Sequence, residues 1–342
     1  MILSLAAMGQ AVRGATAQEK PRYGGVLNWY DYGDPGRLDI HTESPGTVQN
    51  ATAGIFSGLL HYDPDDPSKI TGDLAERWTV SPDGKTYTFH LRKGVKWHDG
   101  QPFSATDVKT TFDRVLNPEF QSPRCGGMLK PLVAGVEVVD PSTFQVRLKT
   151  PAVTFVPSVA SAWCRIVAKH VLDKYGDLTK PEAQIGTGPF KFKRYERGSV
   201  IEWEKNKDYF IPGLPYLDGV KMYILPGVPT QLAAAKAGRI MLWNWPPMRQ
   251  TEAEELMRAR GDEVEVYQAT TNTVFMIYMH TQKPPFNNPD LRRAVNLAID
   301  RQELVTKAME GAGVPCAVLE PKLVGDFALP LDEINKLPGA QP

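Results

Sequence analysis

The stretch Leu74–Val108, "LAERWTVSPDGKTYTFHLRKGVKWHDGQPFSATDV", places Asp83, His90, His98 and Asp99 among aromatic residues, a mixture that invites a catalytic or metal-binding reading. Its periodicity argues otherwise. Tyr87, Phe89 and Leu91 alternate with Thr88, His90 and Arg92, the period of two of a half-buried strand. Ser81-Pro82-Asp83-Gly84 ahead of it supplies the fixed φ of proline and the permissive φ of glycine that a tight turn needs, so Trp78–Val80 reads as the other strand of a hairpin. His98-Asp99-Gly100 reads as a second turn. Ser104 with Asp107 three residues on forms a capping box, and Val108, Phe112 and Val115 then fall on one face of a helix that stops at Asn117-Pro118. His90 is thus placed on the solvent face of a strand, and His98 and Asp99 in a turn. A metal or acid/base centre needs side chains that converge on one point, and these face different ways.

Working outward, 342 residues suggest about two domains. The mix of 42% hydrophobic and 23% charged residues is that of a folded chain. Lys plus Arg total 39 and Asp plus Glu total 39, so no net field draws nucleic acid or an anionic membrane. The 29 prolines and 29 glycines are spread along the chain, which implies many loops between short elements and no fixed-period repeat. Residues 1–17 hold an apolar run, Ile2–Met8, followed by Ala15-Thr16-Ala17, a pattern similar to a signal-peptidase site, although the basic residues that normally precede such a run are missing. A mature chain would begin near Gln18; the alternative is a frayed tail or a buried helix. No later window reaches the ~18 apolar residues of a membrane span. Cys125, Cys164 and Cys316 lack C-x-x-C spacing and clustered histidines, which argues against zinc. In an oxidising compartment Cys125 and Cys164 can pair and leave Cys316 over; the alternative is buried reduced thiols.

As a word string the opening stretch resembles the signature region of the extracellular solute-binding proteins of family 5, the oligopeptide, dipeptide and nickel receptors of ABC importers. The resemblance continues in collinear order. "YGGVLNWY" (Tyr23–Tyr30) is similar to the family's first strand, and "IFSGLLHYD" (Ile55–Asp63) to its next helix and turn. "VEVVDPSTFQVRLKTPAVTF" (Val136–Phe155) resembles the following hairpin, with Asp140-Pro141 at the turn. "IGTGPFKFKRYERGSVIEWEKNKDYF" (Ile185–Phe210) and "PPFNNPDLRRAVNLAIDRQELV" (Pro284–Val305) complete the series. Physically, Gly186-Thr187-Gly188-Pro189 lacks the G-K-[ST] of a phosphate loop and precedes an alternating strand, so it reads as a turn. Pro289 suits the first turn of a helix striped by Leu291, Ala294, Val295, Ala298 and Ile299; Asp300 then caps a second helix that Gly311 ends.

The resemblance implies an α/β, bilobal periplasmic-binding-protein fold with a subdomain inserted in lobe I. Mapped onto this chain, lobe I is 22–54 plus 181–268, the inserted subdomain 55–180, and a partial lobe II 269–342. The family's second lobe continues well past "LPGAQP", which implies a C-terminally truncated chain with an incomplete second lobe. It also implies a periplasmic, monomeric receptor that closes its lobes around a peptide or a related small solute, needs no cofactor and no metal, and delivers its cargo to ABC permease subunits with their ATPases. Ligand contacts are expected from Thr42, Glu43, Ser44 and Gly46 in the loop after "LDIH", from Trp243, Asn244 and Trp245, and from Tyr278 and His280 on the lobe-crossing strand "TVFMIYMHTQKPPF". Met241 stands where the family's Asp is usual, and His280 where Asn is common. Trp243 and Trp245 also fit one face of a buried strand, and His280 also fits a satisfied structural histidine. An extracytoplasmic sensor or an inactive fragment is the competing reading. An exported hydrolase would need a nucleophile with a base in reach, and no G-x-S-x-G, H-E-x-x-H or S-x-x-K motif occurs, so no catalytic residue is assigned.

Overall fold

The computed structural model describes residues 21–64, 66, 68–243, 247–267, 276–311, 313, 331–334 and 336. The signal-like segment 1–17 and Cys316 lie outside them. The chain divides into two compact units, residues 1–227 with 240–244, and residues 228–239 with 245–342.

The first unit holds the strands β1 (Val26–Asp31), β2 (Leu60–Tyr62), β3 (Ile70–Gly72), β4 (Ala75–Val80), β5 (Thr86–Leu91), β6 (Val133–Asp140), β7 (Thr143–Leu148), β8 (Phe190–Glu196), β9 (Val200–Lys205) and β10 (Gly219–Ile224). Its helices are α1 (Gly46–Thr52), α2 (Ala105–Leu116), α3 (Cys125–Leu129), α4 (Phe155–Val159) and α5 (Lys169–Tyr175). One four-stranded sheet runs β1-β10-β9-β8, a second runs β4-β5-β7-β6, and β2 pairs with β3. Only β1 and β10 are parallel among these pairs; the rest are antiparallel.

The opening stretch folds as its periodicity dictates. Tyr87, Phe89 and Leu91 are buried while Thr86, Thr88 and His90 are half-buried. Phe89 stands opposite Trp78 on one side and Phe144 on the other, the cross-strand apolar pairing that stabilises a sheet. The turn is closed by Asp83, whose Oδ1 accepts from the Lys85 amide at 3.1 Å, and by Gly84 at φ +69°. Ser104 caps α2: its Oγ accepts from the Thr106 amide at 3.3 Å, and its own amide donates to Asp107 Oδ2 at 3.0 Å. Ala105, Val108, Phe112 and Val115 bury one face of α2. The other oxygen of Asp107 accepts from the Lys169 amide at the start of α5, so one carboxylate ties two helix beginnings together. These elements share one core with Trp97, Phe155, Ile201 and Met222.

One expected element is different. The segment Ile55–Asp63 is a turn followed by β2, and the helix precedes it as α1. The reason is backbone contact: Gly58 bridges to Arg165, and a Cβ at Gly58 would lie 2.8 Å from the Leu60 carbonyl. Helical winding there would break that approach. The glycines of "GTGPF" serve the same purpose, since a Cβ at Gly186 would lie 1.9 Å from the Ile55 oxygen and one at Gly188 2.5 Å from the Gly54 oxygen.

The second unit contains α6 (Val228–Lys236), α7 (Gln250–Arg260), α8 (Pro289–Leu297), α9 (Arg301–Ala308) and α10 (Leu331–Ile334). Asn288 caps α8 with Pro289 in its first turn, and Asp300 caps α9. Lys236 pairs with Glu255 between α6 and α7. Of the expected lobe-crossing strand 273–286, residues 273–275 lie outside the described residues, and Met276–His280 pairs with no strand among the described ones.

Candidate functional site

The parallel pair β1–β10 defines where a ligand can be received, because in α/β sheets the loops leaving the carboxyl ends of parallel strands are free to shape a site. The chain leaving β1 runs through Leu38–Gly46 into α1. Asp31, the last residue of β1, is fully buried and its Oδ2 accepts from Asn50 of α1 at 3.0 Å, which fastens the helix to the strand end. Burial pushes the Asp31 carboxyl up from its ordinary value, with the Asn50 and Tyr32 hydrogen bonds acting against it.

Thr42 ends a turn, Glu43 and Ser44 follow it without regular structure, and Gly46 is the first residue of α1 after Pro45. Thr42 donates through its amide to the Asp39 carbonyl at 3.2 Å, and Glu43 pairs loosely with Arg37 at 3.9 Å. The Ser44 carbonyl accepts from Arg124 Nη2 at 3.1 Å. Behind the turn lies a network that sequence reading did not identify. Arg114 grips Asp39 with both terminal nitrogens, at 3.0 and 2.5 Å, and Nη1 also donates to His41 Nδ1 at 3.1 Å. The opposite ring nitrogen, His41 Nε2, donates to the Arg165 carbonyl at 2.9 Å. His41 is thereby a neutral imidazole with its proton on Nε2, and burial first, then the Arg114 charge, lowers its pKa to about 4. Burial alone would raise the Asp39 carboxyl, but the Arg114 hydrogen bonds and charge outweigh it and hold it below the usual range. The available signal was Asp39-Ile40-His41, a polar pair two residues apart in an otherwise buried stretch.

Trp243 reaches the same strand from its free edge. The Met241 amide donates to the Asn28 carbonyl at 2.7 Å and its Sδ accepts from the Asn28 amide at 3.5 Å, so the unusual methionine meets β1 through both backbone and side chain. Two residues on, Trp243 packs edge-on to Tyr30 with ring centroids 5.4 Å apart, half-buried. Asn244 and Trp245 lie outside the described residues. Tyr278 and His280 belong to the second unit; Tyr278 is 87% exposed. His280 is exposed as well, with Nδ1 accepting from the Gln282 amide at 3.3 Å, which is not the environment of a buried structural histidine. Of the expected contacts, Thr42, Glu43, Ser44, Gly46 and Trp243 fall in the first unit, and Tyr278 and His280 in the second.

The four titratable residues of the opening stretch diverge. Asp83 closes its turn, Asp99 pairs with His170 at 2.8 Å, and the His98 ring lies between the Gly186 amide at 3.2 Å and the Gly188 carbonyl at 3.0 Å. Burial lowers the His98 pKa to about 4, so it too is a neutral bridging group. Two surface depressions of about 390 and 420 Å³ share Lys191 and Glu204, and neither includes a candidate residue. Among the described residues no group of three His, Cys, Asp or Glu is placed to hold a metal ion, and no helix is long and apolar enough to cross a membrane. Cys125 and Cys164 are joined in a disulfide with their Cα atoms 5.1 Å apart.

The comparisons with known proteins agree with this architecture. The glutathione-binding protein GsiB of Salmonella choleraesuis (strain SC-B67) is 31% identical over 284 residues, which is 83% of this chain and 54% of the relative. The probable deoxycholate-binding periplasmic protein YgiS of Escherichia coli (strain K12) is 30% identical over 328 residues, 91% of this chain and 60% of the relative. Among solved structures, the ABC transporter-associated periplasmic binding protein DppA from Helicobacter pylori, in complex with the peptide STSA, superposes with a TM-score of 0.71 at 30% identity over 85% of this chain and 59% of that one. The fold is thus that of the periplasmic binding proteins, and the chain spans about half the length of the curated relatives it matches. Since residues 69–333 match the model "Bacterial extracellular solute-binding proteins, family 5 Middle", the chain belongs to that family.

Proposed function

We propose that this chain captures a short peptide, or a small solute with peptide-like amide and carboxylate groups, for an ABC importer. Trp243, packed edge-on to Tyr30 near the outgoing end of β1, is the observation that carries the reading: an aromatic wall beside a parallel strand pair, whose following chain holds Thr42, Glu43, Ser44 and Gly46 and is fastened to the strand end through Asn50 and Asp31. Glutathione and the peptide STSA, bound by relatives according to their names, share that chemistry. In this reading residues 1–17 direct export, the monomer works in the periplasm, and lobe closure presents the cargo to permease subunits and their ATPases. Lobe I comprises 22–54 and 181–268, the inserted subdomain 55–180, and lobe II begins at 269. Asn244, Trp245, Tyr278 and His280 complete the ligand contacts.

The test is thermal unfolding of the purified chain alone and with a pooled di- and tripeptide library including glutathione, with nickel and sugar controls. A ligand that binds only the folded form at 100 times its Kd adds about 2.7 kcal/mol and raises the midpoint by several degrees. A shift with the peptide pool that Trp243→Ala abolishes supports the proposal. A shift with nickel or sugar alone rejects the peptide class.

A further inference from the structure

The loop from Leu38 to Gly46 is firmly held up to Thr42 by the Asp39–Arg114–His41 network. Its tip is held differently. Glu43 has the loose pairing with Arg37, whose side chain is 65% exposed, so that contact contributes little. Among the described residues, the bond that joins the tip to a distant element is the 3.1 Å hydrogen bond from Arg124 to the Ser44 carbonyl. Arg124 is exposed, and a free arginine side chain loses rotamer freedom when it is fixed in one pose.

Two features fix it. The Arg124 guanidinium lies over the Trp163 ring, 5.3 Å from its centroid. The residues that follow Arg124 and Trp163 in the chain are Cys125 and Cys164, and these are joined to each other. The bridge therefore pins the two backbone positions next to the stacked pair. On the Arg124 side, α3 is seated against α2 so closely that a Cβ at Gly126 would lie 2.6 Å from the Val115 carbonyl, and the Gly126 amide donates to Ser122 Oγ at 3.0 Å. On the other side, Arg165 offers its carbonyl to His41, so residues 163–165 brace both the base and the tip of the loop.

We propose that Cys125–Cys164, with the Arg124–Trp163 stack, is a clamp that presets the Thr42–Gly46 turn for ligand, Arg124 being the positioning residue. This rests on the proposed role of the turn, but its test does not require a ligand. Hydrogen–deuterium exchange is followed along the whole chain for Arg124→Ala, for the double variant Cys125→Ala/Cys164→Ala, and for the three changes combined. The clamp requires amides 42–48 to exchange about tenfold faster in Arg124→Ala with β5 and β7 unchanged. The double cysteine variant must show at least the same local rise, and adding Arg124→Ala to it must add nothing at 42–48. Unchanged exchange at 42–48 in Arg124→Ala overturns the proposal, as does a cysteine variant whose loss of protection is spread evenly over β5 and β7. If the cysteine variant does not fold, Trp163→Ala with the bridge intact takes its place; it must reproduce the Arg124→Ala rise, and its failure to do so overturns the clamp. Binding of the peptide pool is a separate readout. No binding by the unaltered chain rejects the peptide function and leaves the clamp judged on exchange alone.

Discussion

His98 and His41 do comparable work at two places in the fold. Each accepts a hydrogen bond on Nδ1 and faces a carbonyl with Nε2, His98 between Gly186 and Gly188, His41 between Arg114 and Arg165. A second proton would put a donor where each ring must accept. Both pKa values are accordingly lowered from 6.5 to about 4. Between those values the unfolded chain binds more protons than the folded one, so this stability is fully present above pH 6.5 and is lost as pH falls toward 4. At pH 5 the loss is about 2 kcal/mol for each histidine relative to neutral pH. Urea midpoints at pH 7 and pH 5 check this: the midpoint must drop in the unaltered chain, and the drop must shrink in His98→Asn. The loop that His98 latches is also the place where one methyl group does most harm. Gly186→Ala puts a Cβ into the Ile55 carbonyl, and the backbone on neither side has a flexible side-chain end to move away. We expect a loss of about 3 kcal/mol, read from the urea midpoint at pH 7; a midpoint equal to the unaltered chain would mean that the loop relaxes freely.

At the scale of elements, what the sequence made legible was what local chemistry decides. The β4–β5 hairpin follows from its turn and its alternation, and α2 from its cap and its apolar stripe. Ser104→Ala removes the acceptor for the Thr106 amide and one half of the capping box, which is expected to cost about 1 kcal/mol in a chemical denaturation curve. Ser104→Asp is expected to restore most of it, a rescue that a general packing defect would not show. The less legible parts depend on partners far along the chain. Ile55–Asp63 is placed as helix and turn by family resemblance, and nothing nearby in the sequence reveals that Gly186 and Gly188 must lie against residues 54 and 55. The hold on the candidate loop was hidden for the same reason: Asp39 meets Arg114, and Ser44 meets Arg124, across separations of 75 and 80 residues. Thr42, Glu43, Ser44 and Gly46 were placed by family resemblance. The structure adds that the turn they form is braced from behind by groups too distant for any spacing rule to find.

For the molecule as a whole, the question left open by composition was the state of the cysteines. The 342-residue chain has 3 cysteines, and two of them are bridged across a separation of 39 residues. Closing a loop of that length removes freedom from the unfolded chain worth about 4 kcal/mol in the chain-entropy model. The bridge lies within the core of the first unit, with Cys125 and Cys164 only 2% and 5% exposed. Reagents in solution reach such a bond slowly while the chain is folded, whereas the bond must form in an oxidising setting. Thiol titration in denaturant without reductant should therefore find one reactive thiol per chain folded under oxidising conditions, and three after reduction. Refolded in reductant, the same chain should have a lower urea midpoint by an amount near the loop-closure figure, with the slope of the transition changed because the unfolded state is less confined. Three thiols in chain folded under oxidising conditions would place the bridge outside the native state. One thiol together with an unchanged midpoint on reduction would show that the core alone holds the first unit, and the stabilising role assigned to the bridge would be withdrawn.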